Sequence, residues 1–122
     1  MKEIYFTAPS IEQIDFKKTT NFEEIKNDIA LNIDVQNTEP VLIGSNEYYY
    51  GLKIIISGDD APFSLSLQLS ANFSLDKEDS VNATKVLEKK GTEILYSYAR
   101  PLITDVLVKA GLPPLTIPYM NN

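Results

Sequence analysis

From Phe63 to Asp76 the chain alternates without a break, with Phe63, Leu65, Leu67, Leu69, Ala71, Phe73 and Leu75 on one side and Ser64, Ser66, Gln68, Ser70, Asn72, Ser74 and Asp76 on the other. A period of two held that long predicts an extended strand with one buried and one wet face. Just upstream, Tyr48, Tyr50, Leu52, Ile54 and Ile56 share a face, while Tyr49, Gly51, Lys53, Ile55 and Ser57 share the other. The intervening Ser57-Gly58-Asp59-Asp60-Ala61-Pro62 reads as a hairpin connection. Ile29, Leu31, Ile33 and Val35 give a third half-buried strand. Ile4-Tyr5-Phe6 and the later Ile11, Ile14 and Phe16 read as one strand broken near Ala8-Pro9, because proline lacks the amide donor a ladder requires. Short connections and a polar face favour antiparallel pairing, so four antiparallel strands are expected.

The pattern then turns helical. Lys77 to Lys90 is a short helix candidate, with Ser80 as its cap and Val81, Thr84, Val86 and Leu87 as a weak apolar face. From Glu93 onward, Leu95, Tyr96, Ala99, Leu102, Ile103, Val106, Leu107 and Ala110 fill an arc of roughly 140° at about 100° per residue. That is wider than the stripe of about 100° an ordinary surface helix needs. The surplus fits either a helix that covers its own sheet and still offers Leu95, Ala99, Ile103, Leu107 and Ala110 to another subunit, or a wide helix well buried in a monomer. Pro101 conflicts with a regular helix, since it removes the bond to the Ser97 carbonyl; either the helix kinks there or its regular part begins there. Gly111 is the C-terminal stop, and Pro113-Pro114 keeps the helix from resuming. The expected fold is α+β: a four-stranded antiparallel sheet with one long C-terminal helix and one shorter helix on one face, in a single domain over residues 1–122.

Composition narrows the function more than the fold. The chain has no histidine, which removes the usual general base and the commonest transition-metal ligand, and no cysteine, which removes thiolate nucleophiles, disulfides and zinc-thiolate sites. A net charge of -6, with 11 basic residues scattered among 17 acids, does not suit a nucleic-acid surface. No apolar run approaches the roughly 18 residues of a membrane span, and Met1-Lys2-Glu3 does not open a secretory signal, so the cytoplasm is the expected compartment.

No catalytic or metal-binding constellation emerges, so the chain is expected not to be an enzyme and to need no cofactor. Asp59-Asp60 sits in a typical turn sequence, Glu23, Glu24, Asp28 and Glu39 lack calcium-loop spacing, and the 5 glycines are spread singly. What remains is binding through aromatic and apolar surface, carried by 7 tyrosines and 5 phenylalanines. Tyr49 is expected to project to the wet face between Tyr48 and Tyr50. Tyr96, Tyr98 and Tyr119, near the helix start and the tail, either rim a groove or simply pack.

Tyr96-Ser97-Tyr98-Ala99-Arg100 stands where the SecB-type export chaperones carry Phe-Pro-Tyr-Ala-Arg, and Gly111-Leu112-Pro113-Pro114-Leu115-Thr116-Ile117-Pro118 follows that family's ending. The chain resembles that family from about Glu47 to Pro118. The resemblance implies an ATP-independent holdase, a homotetramer built as a dimer of dimers, whose apolar grooves keep unfolded polypeptides from folding or aggregating. It points to Tyr49, Tyr96, Tyr98, Leu112, Leu115 and Tyr119 as polypeptide-binding residues. Two departures bear on the partner. The sequence stops at Tyr119-Met120-Asn121-Asn122, where exporting members continue into an acidic tail that helps contact the SecA motor. Ser66, flanked by Ser64 and Gln68, stands where they place acids on the wet face. Protection of an antitoxin client fits such a chain as well as export does. The alternative is a non-catalytic adaptor that binds one folded partner.

Overall fold

The computed structural model describes residues 4–18, 32–58 and 63–112. The two long alternating segments form the centre of the sheet: β5 (Glu47–Ser57) and β6 (Phe63–Ser74) pair antiparallel from Glu47 opposite Ser74 to Ile56 opposite Leu65. β1 (Tyr5–Phe6) and β2 (Ser10–Lys18) both pair with β6, while β3 (Asn32–Asn37) and β4 (Val41–Gly44) both pair with β5. The sheet therefore has six strands rather than the four expected, although they lie in four rows. The predicted start of β3 at Ile29 and most of the Ser57 to Pro62 connection lie outside the described residues.

The extra strands come from one device used on both edges. Each outer row is interrupted at a Thr-x-Pro, Thr7-Ala8-Pro9 in one and Thr38-Glu39-Pro40 in the other. Proline cannot donate to the ladder, and the threonine closes the gap. Its backbone N–H donates to the central strand, Thr7 to Asn72 O at 2.9 Å and Thr38 to Gly51 O at 3.0 Å. Its hydroxyl accepts the N–H of that same residue, Asn72 N to Thr7 Oγ1 at 3.0 Å and Gly51 N to Thr38 Oγ1 at 2.9 Å. Gly51 is buried, so its amide has no easy recourse to water. Replacing Thr38 by Val is expected to cost about 1–2 kcal/mol in denaturant unfolding, whereas Thr7→Val, beside the exposed Asn72, costs less.

One face of the sheet is roofed by helix. α1 (Lys77–Val81) is capped by Asp76, whose Oδ1 accepts the Asp79 N–H at 2.8 Å. Asp76, not Ser80, is thus the cap; the Ser80 hydroxyl instead lies 2.7 Å from Tyr48 OH, tying α1 to β5. The shorter helix is not one piece. After Asn82, α2 (Ala83–Val86) passes into a π-helical turn, Leu87–Gly91, and then α3 (Thr92–Lys109). The turn brings Gly91 against the sheet, where an added Cβ would sit 3.1 Å from the Tyr50 ring. α3 continues through Pro101, which lies with Ser97 on the exposed side, where water can replace the missing donor. It ends in a Schellman turn: Gly111 at φ 78°, with Leu112 N bonded to Leu107 O and Gly111 N to Val108 O, both at 3.0 Å.

The core lies between α3 and the two central strands. Leu95, Ala99, Ile103 and Leu107 form the fully buried spine of α3 and meet Tyr50, Leu52, Ile54, Leu67 and Phe73 in one cluster. The surplus arc expected to face another subunit is thus mostly inside this chain; of the proposed interface residues only Ala110 is partly exposed. The roof is pinned by a buried hydrogen bond, 2.6 Å, between Tyr50 OH and Thr92 Oγ1. Burial, more than any neighbouring charge, raises the Tyr50 phenol above its ordinary value of 10.0. The neutral phenol's contribution is therefore complete below that value and is lost as pH rises through the folded-state value. Stability is expected to fall above about pH 10 in a way that Tyr50→Phe flattens, at a cost near neutrality of about 1 kcal/mol, measured by denaturant melts across pH.

Candidate functional site

An α-helix with its side chains is about 10 Å across and strands lie about 4.8 Å apart, so one helix roofs roughly two rows of a sheet. α3 covers β5 and β6, and the outer rows carry apolar residues on the same face. In β1 and β2, Phe6 stands opposite Phe73, Ile11 opposite Leu69 and Ile14 opposite Leu67. Directly opposed antiparallel residues point to the same side, so these three belong to the helix-covered face. Their partners are at most 2% exposed, yet Phe6, Ile11 and Ile14 keep 38%, 48% and 41% of their surface open. Tyr98 of α3, 45% exposed, closes one end of this ledge with its ring edge-on to Phe6, centroids 6.2 Å apart at 85°. At the other end Lys18 Nζ donates to Ala110 O at 2.9 Å.

The ledge lies beside open backbone. Among the described residues β2 pairs with β6 alone, leaving the outer N–H and C=O groups of its nine residues free of a ladder. Apolar side chains in a row next to an unpaired strand edge suit an extended polypeptide, which can bury its own side chains and add main-chain hydrogen bonds. A smaller exposed group, Val41, Leu42 and Ile43, sits on β4 at the opposite edge.

The wet face carries Ser64, Ser66, Gln68 and Ser70 of β6. The pairing of β2 with β6 slips between Ile11 and Gln13, and Glu12 occupies the bulge. Its Oε1 accepts from the Tyr49 hydroxyl at 3.1 Å and from the Ser70 hydroxyl. These groups line an open cleft of about 250 Å³ with Thr38, Gly51 and Gln68.

The expected binding residues therefore do not form one site. Tyr49 is half-buried on the wet face and engaged with Glu12; Tyr96 is 4% exposed in the core, its phenol raised by burial; Leu112 is tucked under the end of α3. Tyr98 alone stands on the ledge, and Leu115 and Tyr119 lie outside the described residues. Phe6, Ile11 and Ile14 were missed because their alternation looks like any core-facing strand. The signal that could have found them is the width of the roof: one long helix cannot cover four rows.

The result is an α+β domain, an antiparallel sheet under a long C-terminal helix, with an apolar ledge left bare beside that helix; no helix among the described residues is long and apolar enough to cross a membrane. The model of the family described as preprotein translocase subunit SecB matches residues 1–121, and the chain belongs to that family. Two solved structures share the fold. One is a SecB-like chaperone of Mycobacterium tuberculosis in complex with a ChAD peptide from the HigA1 antitoxin, at 13% identity and TM-score 0.69, covering 97% of this chain and 88% of that one. The other is a protein of unknown function from Streptococcus agalactiae, at 16% identity and TM-score 0.61, covering 98% and 99%.

Proposed function

We propose that the protein is an ATP-independent holdase of the cytoplasm that takes extended, non-native polypeptides on the ledge formed by Phe6, Ile11, Ile14 and Tyr98. The observation that carries this reading is the exposure of those side chains on the core-facing side of an edge strand whose backbone is open. Contact there is made by removing apolar area from water, which is non-directional and tolerant of sequence. The work is binding alone, without catalysis or cofactor. Membership of the SecB family supports a chaperone role, with hand-over to the SecA motor as one setting. The antitoxin peptide bound by the mycobacterial neighbour supports a second setting, in which the client is an aggregation-prone antitoxin. The reading includes a homotetramer, assembled as a dimer of dimers through surfaces other than the buried spine of α3.

The test is a titration, without nucleotide, of a reduced and alkylated protein that cannot fold, alongside its native form. A holdase binds the unfolded chain with micromolar or better affinity and leaves the native form alone. An adaptor for one folded partner binds neither, and that result would remove the reading.

A further inference from the structure

Between β6 and α3 the chain passes through a segment held down by few contacts. Leu75, 6% exposed, and Leu87, with no exposed surface, anchor its two ends, and none of residues 76–86 between them is buried. α1 has five residues and α2 four, separated by a break at Asn82, where φ is -120°, ψ is 41° and no side chain caps α2. Helices that short do not persist by themselves, since even an isolated helix of about 12 residues is marginal in water. Tertiary contact must hold them: the 2.7 Å bond between Tyr48 OH and Ser80 Oγ, together with the half-buried Ala83 and Val86. One group works against closure. Asp79 Oδ2 is buried with no hydrogen-bond partner among the described residues, and the hydration it forfeits is restored once the segment lifts.

The residue tied to this segment belongs to an apolar row. Tyr48 stands opposite Phe73 on one side and Leu42 on the other, all on the helix-covered face. Leu42 is 62% exposed, whereas Tyr48 is half-buried with its hydroxyl engaged by Ser80. With the segment down, the neighbour of Leu42 across the ladder is covered. With it lifted, Tyr48 adds an aromatic surface one strand spacing away, about 4.8 Å.

We propose that residues 76–86 form a strap that lifts as one unit between its leucine anchors and, while down, withholds Tyr48 and Leu42 from a second stretch of the client held on the ledge. The strap's use as a gate rests on the holdase reading. A site open in only a fraction of molecules binds more weakly by that fraction, so the far edge of the sheet is silent in the natural chain and is brought into play by release of the strap.

Asp76→Ala with Ser80→Gly removes the cap of α1 and the bond to Tyr48 without touching a buried residue. Amide hydrogen exchange of this released protein is compared with that of the natural chain. The reporter is the Val86 amide, bonded to Asn82 O at 3.1 Å beyond the break and remote from both substitutions. A strap that moves as one unit predicts exchange at Val86 about tenfold faster or more, with the α3 amides of Ile103 and Leu107 unchanged. Acceleration confined to α1 overturns it. The second arm is affinity for the unfolded client. A gate predicts binding about three- to tenfold tighter in the released protein, a gain abolished by adding Leu42→Ser, which does nothing in the natural chain. No gain, or a gain that survives Leu42→Ser, overturns the gate. Acceleration at Val86 with no client bound by either protein upholds the strap and removes the holdase reading and the gate with it.

Discussion

Replacing Leu107 with Asp is expected to abolish folding, not merely to separate subunits. Leu107 has no exposed surface and sits in the cluster with Ile54, Leu65 and Phe63, and the turn that ends α3 bonds to its carbonyl. Truncation of such a side chain alone costs about 2–5 kcal/mol, and a carboxylate in its place adds desolvation with no cation among those core residues to offset it. Against the roughly 5–15 kcal/mol that holds a domain of this size, that sum removes the cooperative transition. Ile103→Asp behaves alike, as Ile103 is 1% exposed. Val108→Asp on the same helix, where the residue is 53% exposed, should shift stability by no more than about 0.5 kcal/mol. Urea melts followed by circular dichroism separate the cases. A folded but dissociated Leu107→Asp protein would return the helix arc to the role of an assembly surface.

The second large effect falls on binding and spares the fold. Ile11→Ser with Ile14→Ser changes residues that are nearly half open, so the cost in stability is small. A client that covers them should lose about 1 kcal/mol of apolar burial at each. Together that is about 2 kcal/mol, or roughly a thirtyfold loss of affinity. Polar replacement at Val41 and Leu42, on the far edge, serves as the control that leaves affinity near its natural value. Titration of the unfolded client against the three proteins reads the difference directly. Equal losses at both edges would mean that apolar exposure in general, and not this ledge, holds the client.

The central strands were legible because an uninterrupted period of two in β5 and β6 has no helical equivalent. The outer rows were harder to read. The segment Thr38-Glu39-Pro40 looks like the end of an element, and nothing in its spacing announces that the threonine hydroxyl carries the ladder across to β4. The helix arc is legible as apolar, but the choice between an assembly surface and a spine buried in the chain is not, because periodicity reports how wide a face is and not what lies opposite it. Two broad central strands, dense with Ile, Leu and Phe, take up the whole spine from Leu95 to Leu107. The same blindness hid the site. Tyr96 and Tyr98 are two positions apart in one motif, yet the helix turns the first into the core and the second onto the ledge. Ile11 and Ile14 carry the pattern of buried residues and differ from Leu67 and Leu69 only in standing one row beyond the helix.

The most direct measurement of the central claim is light scattering from a chemically unfolded protein diluted into buffer without ATP, alone, with the natural chain, and with the folded Ile11→Ser, Ile14→Ser variant. The ledge reading predicts that the natural chain suppresses aggregation near stoichiometric amounts and that the variant does so only at a large excess. Equal protection by both, or protection by neither, would contradict it.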